Sequence, residues 1–212
     1  MNVPIELTAE ERARYRDQRA RFAAMYSELA RAMPDLGWND FVRHASTSVD
    51  GRQALDAWRG YRALLAFPDG KRAALRELLA KHAGQRTLVF TGDNATAFEI
   101  ARELLVVPIT HEIGRTERAL ILERFKAGDI SVLVSSQVLD EGFDVPDADI
   151  AIIVGGSASA RRHVQRIGRV LRPRDGKQAI VYELVVEAST ETDYMRRRRA
   201  GLGTTADAGG VS

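Results

Sequence analysis

The sequence has 212 residues and no cysteine, which excludes disulfide bonds and thiolate metal sites. This absence fits a reducing compartment, and a cytoplasmic location is the expectation drawn from it. No apolar run approaches the length of about 18 residues that crosses a bilayer, and the N-terminus does not have the pattern of a signal peptide. The sequence therefore predicts no contact with a membrane.

Two motifs that ATP-hydrolysing proteins use are also missing. There is no Gly-x-x-x-x-Gly-Lys-Ser/Thr loop to hold phosphates and no Asp-Glu-x-His box to hold magnesium. Phosphoryl transfer depends on those electrostatic elements, so we expect that the chain alone does not hydrolyse ATP. The histidines have no metal-ligand spacing among themselves, and no metal site is expected in the chain itself.

Charge does not decide between functions. The chain has 31 Lys and Arg against 29 Asp and Glu, and its hydrophobic content of 45% is that of an ordinary globular protein. Only four of the basic residues are lysines. The excess of arginine fits phosphate recognition, and it fits biased codon usage equally well.

The N-terminal part of the chain, residues 1–84, has a helical pattern. Apolar spacing predicts helices over residues 8–33, 51–65 and 71–81, with Thr8 as the cap of the first. Trp38 and Trp58 lie in this region, and for them we favour core packing over stacking on bases.

From residue 85 to 187 short apolar strands alternate with amphipathic helices. The strand candidates are residues 87–91, 106–110, 131–135, 150–154 and 178–184, and the helix candidates are 95–105, 116–126 and 160–170. This alternation predicts an α/β domain with a parallel sheet and helices on both faces, which binds ligands at the carboxyl ends of its strands. Residues 188–212 include Arg196 to Arg199 and are predicted to form a basic, disordered tail.

One segment near the end of this domain has the strongest signal. Residues 165–172 read Gln-Arg-Ile-Gly-Arg-Val-Leu-Arg, so Arg169 and Arg172 are three residues apart. On a helix such residues project side by side, and guanidinium groups are well shaped to grip phosphate oxygens.

A second motif precedes it by about 20 residues. Ser135 and Ser136 end a strand, and the acidic loop that follows contains Glu141, Gly142 and Asp144. Glycine permits close approach to a ligand, Asp144 can accept hydrogen bonds from a ribose, and serine hydroxyls suit a phosphodiester backbone.

Two other strand ends carry candidate contacts. Thr91 and Gly92 end a strand directly before a helix, where a phosphate can bind. The next two residues, Asp93 and Asn94, are both candidates for the cap of that helix. His111 and Arg115 follow the next strand, and for them nucleic-acid contact and a solvated loop remain equal alternatives.

Taken together, residues from about 3 to 199 resemble the C-terminal half of a superfamily 2 helicase of the XPB-like bacterial and archaeal branch. The motifs that carry the resemblance are Phe90-Thr91, His111 with the helix at 116–125, the loop at 140–146 and the segment at 165–172, in the family's order and spacing.

The resemblance implies a RecA-like second lobe, which closes over ATP and Mg²⁺ held mainly by a first lobe in the same or another chain. It implies that Arg169 and Arg172 reach the γ-phosphate, that Gln165 senses the nucleotide and that the loop with Glu141, Gly142 and Asp144 lines the ATP side. The residues expected to face single-stranded or duplex DNA are Thr91, Gly92, His111, Arg115, Ser135 and Ser136.

In this interpretation residues 3–7 are the last strand leaving a first lobe, and the chain is a fragment, a truncation or the product of a split gene. The alternative function is a stand-alone nucleic-acid-binding or regulatory module without ATPase activity.

Overall fold

The computed structural model describes residues 1–136, 148–155 and 180–193. It has two compact units. The sheet unit contains Met1–Glu6 and the described residues from Gly70 onward, and the helical unit is Leu7–Asp69. None of the described helices is long and apolar enough to cross a membrane.

Six strands and six helices are described. The strands are β1 (Asn2–Ile5), β2 (Thr87–Thr91), β3 (Val107–Ile109), β4 (Val132–Ser136), β5 (Ile150–Ile153) and β6 (Ile180–Val186). The helices are α1 (Ala9–Ala32), α2 (Trp38–Ala45), α3 (Val49–Ala66), α4 (Asp69–Lys81), α5 (Asn94–Leu104) and α6 (Arg115–Ala127). The helix predicted at 160–170 lies outside the described residues.

The strands form one sheet in the order β1-β6-β5-β2-β4-β3, and every pair is parallel. This confirms the predicted fold class, an α/β domain with a RecA-like parallel sheet. On one face, Leu88 and Leu133 of the strands share a buried core with Leu122 and Phe125 of α6. Helix α5 packs against β2, β3 and β4. The chain passes from β2 to β3 through α5 and returns from β3 to β4 through α6, so the two connections run in opposite directions across the sheet. Because connections between parallel strands are right-handed, α5 and α6 lie on opposite faces.

Strand β1 belongs to the sheet unit and not to the predicted N-terminal region of residues 1–84. That this strand leaves a preceding lobe stays a prediction from the sequence. The structure pairs Asn2 with Glu183 and Ile5 with Val186 of β6. Pro4 is tolerated there because β1 is an edge strand, in which one row of backbone N–H groups needs no partner.

The boundary between the two units also differs from the predicted position at residue 85. Helix α4 belongs to the sheet unit, since Arg72 forms ion pairs with Glu99 and Glu103 of α5. Burial lowers the Arg72 pKa, but hydrogen bonds and charge from the two glutamates outweigh it, and the net pKa is raised. The division falls instead between Asp69 and Gly70, at the start of α4.

The first residues of the predicted tail are ordered. Glu191 contacts the fully buried Lys71, with Nζ and Oε1 2.8 Å apart, and its Oε2 accepts a hydrogen bond from the backbone N–H of Val186 at 2.9 Å. Burial lowers the pKa of Lys71, and the charge of Glu191 offsets only part of that effect. Residues 188–193 therefore belong to the folded sheet unit.

The helical unit follows its sequence pattern closely. Thr8 caps α1 as predicted, because its hydroxyl accepts from the N–H of Glu11 while the Glu11 carboxylate accepts from the N–H of Thr8. Helix α2, which the sequence did not indicate, supplies the fully buried Phe41 to the core. Trp38 and Trp58 contact each other with ring centroids 4.6 Å apart, and Trp38 stays 41% exposed.

Candidate nucleic-acid interface at the carboxyl edge of the sheet

All described strands are parallel, so their carboxyl ends meet at one edge of the sheet, which we call the carboxyl edge. Thr91 ends β2, Ser136 ends β4, and Thr110 directly follows β3. Helices α5 and α6 both begin at this edge, since each follows a strand of the sheet. The structure thus brings the ends of three strands and two helix N-termini together.

The turn after β2 uses its polar groups internally. The hydroxyl of Thr91 donates to the backbone carbonyl of Asp93 at 2.8 Å, and Thr91 is buried. Asp93 is the N-cap of α5, because its carboxylate accepts from the N–H of Thr96 at 2.8 Å. Gly92 forms the bend between these residues and is half-buried. Of the two cap candidates, the structure selects Asp93.

Asn94, the first residue of α5, links the ends of three strands. Its Nδ2 lies 2.8 Å from Oε1 of Glu112 and 2.9 Å from Nδ1 of His111, both in the loop after β3. Its Oδ1 accepts a hydrogen bond from the hydroxyl of Ser136 at the end of β4. This network could not be predicted from the sequence, where Asn94 was only a candidate helix cap after a strand.

The two serines at the end of β4 lie on opposite faces of the sheet and have different environments. Ser136 is 1% exposed, and its hydroxyl donates a hydrogen bond to Oδ1 of Asn94. Ser135 is 2% exposed, and its Oγ has no hydrogen-bond partner among the described residues. Both were expected to face DNA, but neither presents an exposed hydroxyl in this structure.

The loop between β3 and α6 is held by Arg118, a residue that no sequence motif indicated. Its guanidinium Nη2 donates to the carbonyl of Thr110 at 3.2 Å and to that of Ile113 at 2.8 Å. Arg118 is 9% exposed, and these two hydrogen bonds stabilise the loop from the inside. His111 and Glu112 are exposed on the outside of the same loop.

Arg115 is the first residue of α6 and is exposed. Its side chain makes no ion pair or hydrogen bond with the described part of the chain. A cation is unfavourable at a helix N-terminus, where the helix dipole is positive, and no contact with the described residues accounts for an arginine here. The N-cap, Gly114, provides no side-chain hydrogen bond either. Such an end, with free backbone N–H groups, is suited to an anion.

The residues assigned to the ATP side all lie outside the described residues. They are Glu141, Gly142, Asp144, Gln165, Arg169 and Arg172. Within the described ranges no group of three or more His, Asp or Glu side chains could hold a metal ion. The assignments on the ATP side remain predictions from the sequence.

Comparisons with known proteins agree on one family. Residues 70–174 match the family model of the helicase conserved C-terminal domain. The "DNA 3'-5' translocase XPB2" of Sulfurisphaera tokodaii is 34% identical over 196 residues, which cover 92% of this chain and 44% of the relative. The "DNA 3'-5' helicase XPB" of Mycobacterium tuberculosis is 34% identical over 134 residues, which cover 62% of this chain and 24% of the relative. The chain thus spans less than half the length of these curated relatives.

Solved structures share the fold. The helicase domain of Pyrococcus furiosus Hef is similar with a TM-score of 0.65 at 19% identity, covering 93% of this chain and 57% of that one. The C-terminal domain of the Sulfolobus solfataricus SWI2/SNF2 ATPase is similar with a TM-score of 0.61 at 16% identity, covering 94% of this chain and 84% of that one. At such identities the likeness concerns the fold alone.

Proposed function

Because this chain belongs to the helicase conserved C-terminal domain family, in the XPB-like branch of superfamily 2, we propose that it is the second motor lobe of an ATP-dependent DNA helicase or translocase. Its partners are DNA and a first RecA-like lobe, in the same or another chain. The observation that carries this proposal is the sequence match to a translocase over 92% of the chain. The parallel sheet, with polar residues at its carboxyl edge, agrees with it.

The carboxyl edge supports contact with the DNA backbone. It carries an exposed imidazole on His111 and an exposed guanidinium on Arg115. Both groups can donate hydrogen bonds, and phosphate oxygens only accept them. Contacts of this kind do not depend on base sequence, as a translocating motor requires.

The six residues assigned to DNA contact divide into two roles. His111 and Arg115 are the side chains that donate to phosphate. Thr91, Gly92, Ser135 and Ser136 shape the strand ends, and their contribution to binding comes through the backbone and through neighbouring side chains. This division follows from burial, since Thr91, Ser135 and Ser136 are each at most 2% exposed.

On the ATP side the proposal rests on the sequence motifs. Arg169 and Arg172 reach the γ-phosphate, Gln165 senses the nucleotide, and the loop with Glu141, Gly142 and Asp144 lines the cleft. ATP and Mg²⁺ are held mainly by the first lobe and supply the phosphoryl-transfer chemistry. Arginine fingers contribute on the order of 10³–10⁵ in rate, but only at a site that already holds the nucleotide. The chain alone is therefore inactive as an ATPase.

Salt-dependent DNA binding tests the DNA side of this proposal. We expect the 212-residue chain to bind labelled single-stranded and duplex DNA without sequence preference, and the logarithm of its affinity to fall linearly with that of the salt concentration. Arg115→Ala should weaken binding to all sequences and reduce the salt slope by about 1. The matched control is Arg59→Ala, because Arg59 is also exposed but pairs with Asp56 in the helical unit.

Two results would count against the assignment. Equal salt slopes for the wild type and Arg115→Ala would remove Arg115 from the DNA contact. Absence of binding to any DNA at low salt would contradict a role of the carboxyl edge in gripping DNA.

A further inference from the structure

We propose that Asn94 is a positioning residue whose amide holds the imidazole of His111 in a single tautomer, with the proton on Nε2. Where it concerns DNA, this inference rests on the proposed function. The tautomer itself is a property of the free chain and can be measured without DNA.

Glu112 determines the orientation of the Asn94 amide. Its Oε1 lies 2.8 Å from Nδ2 of Asn94, and an ionised carboxylate only accepts hydrogen bonds. The amide nitrogen must therefore face Glu112, which leaves Oδ1 for the hydroxyl of Ser136. The reverse orientation would bring two acceptor oxygens together. The contact with Glu112 alone thus assigns the amide, because the hydroxyl of Ser136 can donate or accept.

The same amide nitrogen lies 2.9 Å from Nδ1 of His111. Because Nδ2 of Asn94 donates, Nδ1 accepts through its lone pair, and the neutral ring carries its proton on Nε2. His111 then offers one N–H donor of fixed identity at the carboxyl edge. A DNA phosphate oxygen, which is an acceptor, matches that donor.

Helix capping does not explain the asparagine. Asp93 is the N-cap of α5 and satisfies the N–H of Thr96. The side chain of Asn94 instead contacts the ends of two other strands. It donates to His111, 17 residues away in the loop after β3, and accepts from Ser136, 42 residues away at the end of β4. Its role is therefore to join loops and not to start the helix.

Asn94→Asp separates positioning from folding. Aspartate has nearly the same shape, and a negative charge in the first turn of a helix is favoured by the helix dipole, so we expect α5 to remain folded. The new carboxylate cannot donate to either neighbour. It repels Glu112, whose exposed side chain can turn into solvent, and it accepts a hydrogen bond from His111. His111 should therefore carry a proton on Nδ1 in this variant.

Side-chain nitrogen–proton correlation spectra of histidine measure the tautomer directly. The 212-residue chain would be labelled with ¹⁵N and studied in mildly alkaline buffer, at about pH 8.5, to observe neutral histidine rings. His111→Gln identifies the signals of His111 among the four histidines. We expect protonated Nε2 in the wild type, protonated Nδ1 in Asn94→Asp and a mixture of both tautomers in Asn94→Ala.

Asn39→Asp is the matched control, because Asn39 is exposed in the first turn of α2, in the helical unit. It should leave the signals of His111 as in the wild type. A wild-type His111 with its proton on Nδ1 would overturn the proposal, and so would identical tautomers in the wild type and Asn94→Asp.

DNA affinity at fixed salt then tests the consequence for binding. Asn94→Ala and His111→Gln should each weaken binding about two- to tenfold, the range expected for one hydrogen bond. The double variant should lose no more than His111→Gln alone, because both changes remove the same contact. Additive losses would contradict positioning through His111. If the wild type binds no DNA, the proposed function fails, and the tautomer still decides the role of Asn94.

Discussion

The two units of this chain use their charged and polar side chains differently. In the helical unit the ion pairs are local and exposed, as between Arg21 and Asp17 or between Arg59 and Asp56. In the sheet unit they join distant parts of the chain, as when the buried Lys71 contacts Glu191, 120 residues away. Exposed local pairs contribute at most about 1 kcal/mol to stability.

The difference indicates where the chemistry of this protein resides. A surface that must hold ligand groups in place needs side chains fixed by several contacts, as Asn94 fixes the loop after β3. The helical unit has an aromatic core and solvated charges, which serve to build its helices. We therefore expect substitutions of polar residues to have large effects in the sheet unit and small effects in the helical unit.

The largest effect is expected for Arg172→Ala in a two-lobed form, which carries a first RecA-like lobe ahead of residue 1. If Arg172 reaches the γ-phosphate, steady-state ATP turnover should fall by about 10³-fold or more, while thermal unfolding is unchanged. Arg59→Ala in the helical unit is the control and should leave turnover as it is. Equal turnover in the two variants would remove Arg172 from the ATP site.

The apolar cores of the two units should respond alike. Phe125 in the sheet unit and Phe41 in the helical unit are both 0% exposed. Each Phe→Ala change should lower the free energy of unfolding of its unit by about 3–5 kcal/mol, as measured by urea titration. A loss below about 1 kcal/mol at either position would show that its core is looser than the structure indicates.

Lys71 and Arg59 compare a buried ion pair with an exposed one. Lys71→Ala leaves the Glu191 carboxylate without its cation, and because Glu191 is 23% exposed we expect a loss of about 3 kcal/mol, at the low end for such pairs. Arg59→Ala should cost less than about 0.5 kcal/mol. Urea titration of both variants checks the contrast, which similar losses would contradict.

The pH dependence of unfolding gives a second view of Lys71. Burial lowers its pKa in the folded state below the ordinary value of 10.5, so the unfolded chain binds its proton more tightly. The contribution of Lys71 to the free energy of unfolding should therefore rise as pH increases towards 10.5. The difference in the free energy of unfolding between the wild type and Lys71→Met, measured at several pH values, isolates this effect. A difference that falls with rising pH would contradict the lowered pKa.

A small effect of the opposite sign is expected at Leu105, the C-cap residue of α5, which has the left-handed conformation with φ of 53° and is 91% exposed. This conformation is strained for leucine and unstrained for glycine. Leu105→Gly should therefore raise the free energy of unfolding by about 0.5–1 kcal/mol, after the greater flexibility of unfolded glycine is subtracted. A decrease in thermal denaturation experiments would mean that the Leu105 side chain contributes packing.

Much of the fold was predictable because its signals are local. The five residues of β2, Thr87–Thr91, form an uninterrupted β-favouring run, and the predicted strand has the same bounds. Helix α2 has only eight residues, and its N-cap, Gly37, makes no side-chain hydrogen bond, so neither length nor capping revealed it. The pairing of β1 with β6 was not predicted, because the two strands lie about 180 residues apart and no local pattern indicates that they are neighbours.

The candidate site was predictable only in outline. The rule that ligands bind at the carboxyl ends of parallel strands placed His111 and Arg115 at the correct edge. It did not distinguish the exposed His111 from the buried Ser135, because burial depends on which elements cover each residue. The roles of Asn94 and Arg118 depend on contacts between separate loops, and residue type alone does not reveal them.

If this chain is half of a motor, as we propose, ATP turnover tests that role most directly. The measurement compares the 212-residue chain with the two-lobed form, each with and without single-stranded DNA. We predict no turnover by the chain alone and DNA-stimulated turnover by the two-lobed form. Turnover by the chain alone would reveal a phosphate site that this account lacks. Failure of the two-lobed form to turn over ATP would favour a stand-alone binding module.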